Sequence, residues 1–334
     1  MDIEILLALQ RFREGPGGAL TGFFTKMTFL GEMNTAIVVL AVVYWCINRA
    51  FGAFLLTAFG MNRLVNGMLK VTACVYRPWI RDPRMMPEPA ALASASGYSF
   101  PSGHSMNAAT AYGGAVPRKD LPCALRVSSA VLVLLVAFSR NFLGVHTPQD
   151  ILVGTFGGLL VMFLIYKLLI WLRAHPEMEG AAVCAGVAAS VAVALYAGLK
   201  SYPVDYDEAG KILVDGAKMA NDTFKGVGYS LAVFTGIFLE RRFVNFSTDV
   251  SMARRVTRCV CGLLGYYALN LIAAPLIVSS IHGPAGTVVS RFLPLFYIAF
   301  LFPLLIRNFE REETNEDVSG SDKQVSACAD SAGL

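Results

Sequence analysis

The sequence predicts an all-α protein, a polytopic transmembrane helix bundle of about eight or nine spans. Three observations predict it. Of 334 residues, 55% are hydrophobic and only 16% charged. The mean hydropathy is +0.55. Charged punctuation divides the chain into many apolar windows of the roughly 20 residues that cross a hydrocarbon core of about 30 Å. An ordinary soluble domain is far less apolar.

The chain begins MDIEILLALQRFREG, with apolar positions at helical spacing beside Asp2, Glu4, Arg11 and Arg13. This predicts an amphipathic, interfacial helix within an N-terminal segment, 1–33. It does not read as a signal peptide, because the basic residues follow the apolar stretch and no cleavage pattern appears. Spans are expected near 34–49, 51–72, 101–116, 125–143 and 148–170, forming a core over 34–173. Further spans near 181–199, 226–240, 259–280 and 288–306 form a C-terminal set within 174–308. The third span is rich in small residues (Ala108, Ala109, Ala111, Gly113, Gly114), which suits close packing among other helices rather than contact with lipid. The end of the chain, 309–334, is polar, acidic and expected to be disordered. No internal repeat is evident, and the longest polar segments are loops near 74–100 and 200–225.

Seven cysteines form no zinc or disulfide pattern and are expected to be mostly small buried hydrophobes. Net charge is +4, which on such a chain reports topology; nothing supports nucleic-acid binding.

Charge inside a bilayer costs about 2.5–3.5 kcal/mol even on a lenient scale, so polar residues near span ends need a collective explanation. Three segments hold them: GMLKVTACVYRPW with Lys70, Arg77 and Pro78; YSFPSGHS with Ser102, Gly103 and His104; SRNFLGVHTPQD with Ser139, Arg140, His146 and Asp150. Because successive spans run antiparallel, these segments fall on one side of the membrane. Taken singly, each cation reads as an interfacial anchor. Together they suit a tetrahedral phosphate, with bidentate hydrogen bonds from Arg77 and Arg140 and a point charge from Lys70. In PSGH, Pro101 is expected to begin a helix whose first-turn N–H groups face the anion. In HTPQD, Thr147 suits an N-cap, Pro148 the first helical position, and Asp150 the first turn. Asp150 can then fix the tautomer of His146, leaving its other nitrogen free to attack phosphorus, while His104 donates a proton to the leaving oxygen. Three fixed cations can stand where a metal stands elsewhere; no carboxylate cluster suggests a metal ligand set, and no cofactor is expected.

Lys70, six residues, Arg77-Pro78; then PSGH at 101–104; then Ser139-Arg140, five residues, His146, three residues, Asp150: this pattern resembles the three-part signature of the type 2 phosphatidic acid phosphatase (PAP2) superfamily. The family includes lipid phosphate phosphatases, glucose-6-phosphatase and soluble vanadium haloperoxidases. Every signature position is filled, over roughly residues 30–165, and the flanking context is similar to bacterial multi-pass members. The resemblance implies a PAP2-type core and metal-independent hydrolysis through a phosphohistidine on His146. It further implies His104 as acid and base, Asp150 as support, and Lys70, Arg77, Ser102, Gly103 and Arg140 as phosphate-holding residues.

Arg63 lies inside span two, seven residues before Lys70 and on nearly the same helix face. The favoured reading is a buried arginine paired with a carboxylate such as Glu32 or Glu240, or bonded to backbone carbonyls; the other is support of the pocket floor. Pro78 and Ser139 are further candidate supporting residues.

Short-loop cations are more numerous on the side opposite the signature residues, which makes that side the cytoplasmic candidate. The pocket then faces outward across a bacterial cell membrane, and the C-terminus lies inside. The expected partners are membrane lipids and a lipid phosphate or pyrophosphate substrate. A sugar phosphate, or a lipid-phosphate binder or transporter without turnover, are the alternatives, and nothing in the sequence speaks to oligomeric state. The segment 200–225 falls on the pocket side and reads as a solvated loop.

Overall fold

The computed structural model describes residues 2–309. Nearly all of the expected polar tail, 310–334, lies outside the described residues, as does Cys328. The fold is all-α; among the described residues the only bridge of β type pairs Tyr206 with Ile212.

Helix α1 (Asp2–Glu14) forms where apolar spacing predicts it, but it is not a free interfacial helix. It buries Leu6, Gln10 and Arg13 against the rest of the protein. Arg13 donates to the carbonyls of Phe142, at 2.8 Å, and Met86. Arg81 and Arg84 pair with Asp2 and Glu4 at 3.0 and 2.9 Å. The polar face that was expected to meet headgroups is thus tied to loop 81–86, because these backbone and side-chain partners lie within reach of it.

After α2 (Thr21–Phe29), the first expected span is α3 (Met33–Val42), prolonged by a π turn at Val43–Ile47. Asn48 then caps α4 (Arg49–Ala73) by accepting the N–H of Phe51 at 2.8 Å. The loop to the next long element holds two single-turn helices, α5 (Pro78–Arg81) and α6 (Pro89–Leu92). The expected span 101–116 is only α7 (Gly103–Ala111) with one 3₁₀ turn beyond it. It is followed by α8 (Cys123–Phe142), α9 (Pro148–Ala174) and α10 (Glu179–Leu199).

The seventh expected span is α11 (Gly216–Leu239), which starts ten residues before the expected 226. Asp215 caps it by accepting the N–H groups of Ala217 and Lys218 at 2.9 and 3.3 Å. The polar residues 218–225, expected in a loop, are therefore helical. The remaining elements are α12 (Met252–Ala268), α13 (Ala274–Ser280) and α14 (Pro284–Phe296), with π turns at Leu269–Ala273 and Tyr297–Leu301.

Among the described residues, five helical runs are long and apolar enough to cross a membrane: those at 123–142, 148–174, 176–199, 252–280 and 284–309. There are six if 18–29 and 33–47, bent by 54°, count as one. The expected nine is not reached on this measure, and the reason is physical. The helices that fail include α4, which carries Arg49, Arg63 and Lys70; the short α7; and α11, which carries Lys218, Asp222 and Lys225. They pack mainly on other helices, α4 against both α7 and α11, so hydropathy that measures contact with lipid underrates them.

Tight glycine contacts set the spacing of the inner layer. A Cβ on Gly154 of α9 would stand 2.7 Å from the carbonyl oxygen of Ser102, and one on Gly158 would stand 3.1 Å from Ala109. Small residues on α7 meet this seam, and Ser105 to Ala111 are all buried. The largest apolar cluster joins α3, α4, α11 and the end of α14 through Trp45, Leu56, Phe59, Val233 and Ile298.

The cysteine expectation is corrected: of the six described, only Cys46 is buried, while Cys123, Cys184 and Cys261 are exposed.

Candidate active site

The turn from α8 to α9 is wound around one residue. The Arg140 carbonyl accepts the N–H groups of Val145 and His146 at 3.1 and 3.3 Å, and Gly144 supplies the positive φ, +73°, that the reversal needs. Asn141 donates to the His146 carbonyl at 2.8 Å. Thr147 and Asp150 form a reciprocal capping box, with the Thr147 N–H donating to Asp150 Oδ2 at 2.8 Å and the Asp150 N–H to Thr147 Oγ1 at 3.4 Å. His146 is therefore held rigidly just before a helix N-terminus, as its sequence context predicts.

The hydrogen bonds of its ring fix the tautomer. Arg77 Nη1 lies 2.9 Å from His146 Nε2. A guanidinium can only donate, so Nε2 is the lone-pair nitrogen and Nδ1 carries the proton. That Nδ1–H faces Asp150 Oδ2 and Ser99 Oγ, each at 3.3 Å. The Ser99 hydroxyl in turn donates to the same carboxylate oxygen at 2.5 Å. Burial, and next the Arg77 charge, push the His146 pKa well below the ordinary imidazole value, against the opposing pull of Asp150.

Arg77 is also a clasp. Its Nε donates to Gly97 O at 3.0 Å, Nη1 to Val145 O at 2.8 Å, and Nη2 to Ser96 O at 3.2 Å. It joins loop 96–99 to the His146 turn and leaves one N–H uncommitted, so bidentate contact with a phosphate requires Nη1 to exchange His146 for the anion. Burial lowers its pKa to about 10, which leaves it charged at neutral pH. Lys70 donates to the carbonyls of Tyr98 and Ser99 at 2.8 and 3.3 Å, and keeps one donor for a ligand.

The PSGH segment corrects one expectation. Pro101 does not begin the helix; Ser102 is its N-cap, with Oγ accepting the Ser105 N–H at 3.4 Å and the Ser105 hydroxyl at 2.9 Å. A hydroxyl caps a helix better than a prolyl ring can, and it moves the start to Gly103. The Ser102 N–H is bonded to Asp150 O at 3.0 Å, so Ser102 ties this turn to the His146 turn rather than lining the cavity. Gly103 and His104 do line it.

A cavity of about 530 Å³ brings together Lys70, Arg77, Gly103, His104 and His146, with Arg63 and Asn66 on its wall. The buried Nε atoms of Arg63 and Arg140, Nη2 of Arg140 and Nε2 of His104 have no partner, an arrangement suited to an anion and costly without one. Arg63 has no carboxylate within ion-pair distance among the described residues: Glu240 pairs with Arg49 at 3.0 Å at the far end of α4, and Glu32 lines the same cavity without reaching ion-pair distance. The buried-ion-pair reading of Arg63 is thereby set aside, and its Nη1 stands 3.5 Å from where a Cβ on Gly103 would be.

Arg140 is fully buried one layer behind the cavity lining, with Nη1 donating to Thr28 at 2.6 Å and Ser94 at 3.3 Å. Ser139 turns its hydroxyl back to the Val136 carbonyl at 2.7 Å, away from the site. Pro78 occupies the first position of α5, after Arg77.

Several contributors were not singled out from sequence. Ser99 bonds Asp150 and faces His146, Asn141 bonds the His146 carbonyl, and Arg13 ties α1 to the carbonyls of Phe142 and Met86 beside the motif turn; a serine, an asparagine and a terminal arginine carry no local signal of that. Asp222, Lys225 and Arg291 line the same cavity from α11 and α14. Their pairing with a site more than seventy residues away in sequence is a purely tertiary fact.

Residues 51–174 match the PAP2 superfamily, and residues 224–314 match a description reading PAP2 superfamily phosphatase, transmembrane extension. A curated relative, Phosphatidylglycerophosphatase B of Bacillus subtilis (strain 168), is 34% identical over 158 residues, covering 44% of this chain and 73% of its own. The crystal structure of a transmembrane PAP2 type phosphatidylglycerolphosphate phosphatase from Bacillus subtilis aligns with a TM-score of 0.41 at 31% identity, over 50% of this chain and 83% of that one.

Proposed function

The chain belongs to the PAP2 superfamily and is a multi-pass membrane phosphatase, and from that premise we propose that it hydrolyses the phosphate monoester of a membrane lipid through a phosphohistidine on His146. The observation that carries the reading is the state of the His146 ring. Nε2 keeps its lone pair, Nδ1–H is backed by Asp150 and Ser99, and the ring lines a cavity with Lys70, Arg77 and His104. The name of the curated relative supports a lipid phosphate over a sugar phosphate and makes phosphatidylglycerophosphate the first substrate to try.

In the proposed first step the substrate phosphate draws the Arg77 guanidinium off Nε2 and frees that lone pair. Nε2 attacks phosphorus in line, the bond from phosphorus to the lipid oxygen breaks with its electron pair on oxygen, and protonated His104 supplies that oxygen's proton. Charge that develops on the other phosphate oxygens is met by Lys70, Arg77 and the first-turn N–H groups of α7, with Arg140 behind them. In the second step His104 takes a proton from water as the oxygen attacks phosphorus, and the bond to Nε2 breaks with its pair returning to nitrogen.

The test is phosphate release by purified protein in detergent with EDTA present, comparing the wild type with His146→Ala. Loss of activity by about 10³-fold or more in the variant, with EDTA without effect on the wild type, is the expected outcome. Retained activity in the variant, or EDTA-sensitive activity in the wild type, overturns the mechanism.

A further inference from the structure

From Arg63, Lys70 and Arg77 the cavity receives hydrogen-bond donors that suit a phosphate. Asn66 lines the same space and breaks that pattern. It lies on α4 between Arg63 and Lys70, on the face they share, and is 1% exposed. Its Nδ2 donates to Pro101 O at 3.3 Å and to Met106 Sδ at 3.2 Å. Its Oδ1 is buried without a partner, 3.6 Å from where a Cβ on Gly103 would be.

Turning the amide over does not relieve this, because the carbonyl oxygen would then face the Pro101 oxygen and the Met106 sulfur, both acceptors. The neighbours fix the orientation. Asn66 therefore holds a lone pair toward the start of α7, and an ionised phosphate ester has only lone pairs to offer in return. The group that Asn66 meets must carry a hydrogen of its own. His104, the residue after Gly103, also has a buried side-chain atom without a partner, its Nε2.

We infer that Asn66 positions the water that hydrolyses the phosphohistidine in the second step. Water enters in line with the bond from phosphorus to His146 Nε2, in the place the leaving oxygen had. One of its hydrogens goes to His104 Nε2 as a proton. The other is held by Asn66 Oδ1, stays on the oxygen and leaves with the product phosphate. With both hydrogens engaged, an oxygen lone pair points at phosphorus; as that bond forms, the bond to His146 breaks and its pair returns to nitrogen. In the first step the same place is taken by an ester oxygen that carries carbon and gains its one hydrogen from His104. Asn66 thus assists the second step and not the first. This inference rests on the phosphohistidine reading above.

The two steps are measured separately. The value of kcat/KM on phosphatidylglycerophosphate or phosphatidate in mixed micelles runs only to release of the lipid alcohol, and so reports the first step. Loss of ¹⁸O from labelled inorganic phosphate to water, at saturating phosphate and with no lipid substrate, reports the second step and its reverse. In Asn66→Leu the exchange is expected to slow by about fivefold or more, the loss of one hydrogen bond from that step, while kcat/KM falls by less than about twofold. Should the leucine variant fail to fold, Asn66→Ala is read in the same way.

Equal losses in the two measurements, the mark of a residue that only supports the PSGH turn, overturn the assignment and leave the phosphatase reading intact. So does a loss confined to kcat/KM, which instead gives Asn66 to a hydroxyl of the lipid headgroup. Absence of exchange in the wild type, or undiminished exchange in His146→Ala, overturns the phosphohistidine reading itself.

Discussion

At the scale of single residues, the site is governed by which atom of His146 holds its proton. Arg77 cannot accept a hydrogen bond, so its approach to Nε2 leaves that nitrogen basic, and Asp150 and Ser99 keep the proton on Nδ1. The depressed pKa of His146 has two consequences of defined sign. On the proposed mechanism the nucleophile stays unprotonated below the ordinary imidazole value, so the acid limb of a kcat/KM profile should fall below about pH 6.5. In folding, the unfolded chain takes up this proton first as pH falls below about 6.5, so the neutral ring's contribution to stability is present above that pH and is lost as pH drops toward the folded value. A pH series of phosphate release checks the first expectation, and an acid limb above pH 7 contradicts a nucleophile with a depressed pKa. Arg63 shows what the sequence left open at this scale: its position in span two was plain, but that Glu240 packs at the far end of α4 against Arg49, and that Glu32 lines the cavity without pairing with Arg63, are tertiary facts.

At the scale of elements, the site depends on how α9 meets the start of α7. The Ser102 N–H donates to the Asp150 carbonyl, and Gly154 lies one turn further on, against the Ser102 carbonyl. Gly154→Ala puts its Cβ against backbone, which cannot move aside as a flexible side chain can. The expected cost is about 1–3 kcal/mol of stability, with a loss of activity because the two turns must separate. Gly157→Ala, with nothing within 4 Å of its Cβ, serves as the matched control and should leave both unchanged. Thermal unfolding in detergent and phosphate release on both variants measure this, and indistinguishable behaviour of the two removes the argument. The capping box of α9 was legible because its Thr-Pro-x-Asp signals are local. The start of α7 was misplaced by two residues, since Ser102 and Pro101 both offer start signals and the hydrogen bond to Ser105 decides between them.

At the scale of the molecule, the helix ends sort into two sets. Lys70, Gly103 and His146 lie at the cavity end, while Arg49, Glu179, Glu240 and Arg241 pair with one another at the other. Counting short-loop cations proposes the latter as the cytoplasmic side, with the cavity facing outward. Asp207→Cys, near the cavity end, should then react with a membrane-impermeant maleimide in intact cells, while Lys119→Cys should react only after permeabilisation. The reverse pattern inverts the orientation and leaves the chemistry untouched. The same sorting bears on the span count: α4 and α11 carry several charges and α7 is short, so composition passes over them, while α14, which also lines the cavity through Arg291, carries few enough charges to be marked.

The sequence by itself determined the all-α membrane class, the order of the helices and the signature residues of the site, because hydropathy, helix caps and motif spacing are written in neighbouring residues. Only the tertiary structure decided which donors remain uncommitted around His146 and that Arg140 sits behind the cavity lining. It also decided that α11, packed between α4 and α14, brings Arg63 of the one and Arg291 of the other to the same cavity. Those outcomes depend on competition among partners distant in the chain, where one carboxylate, one carbonyl or one glycine contact assigns a side chain to a role that its neighbours in sequence do not specify.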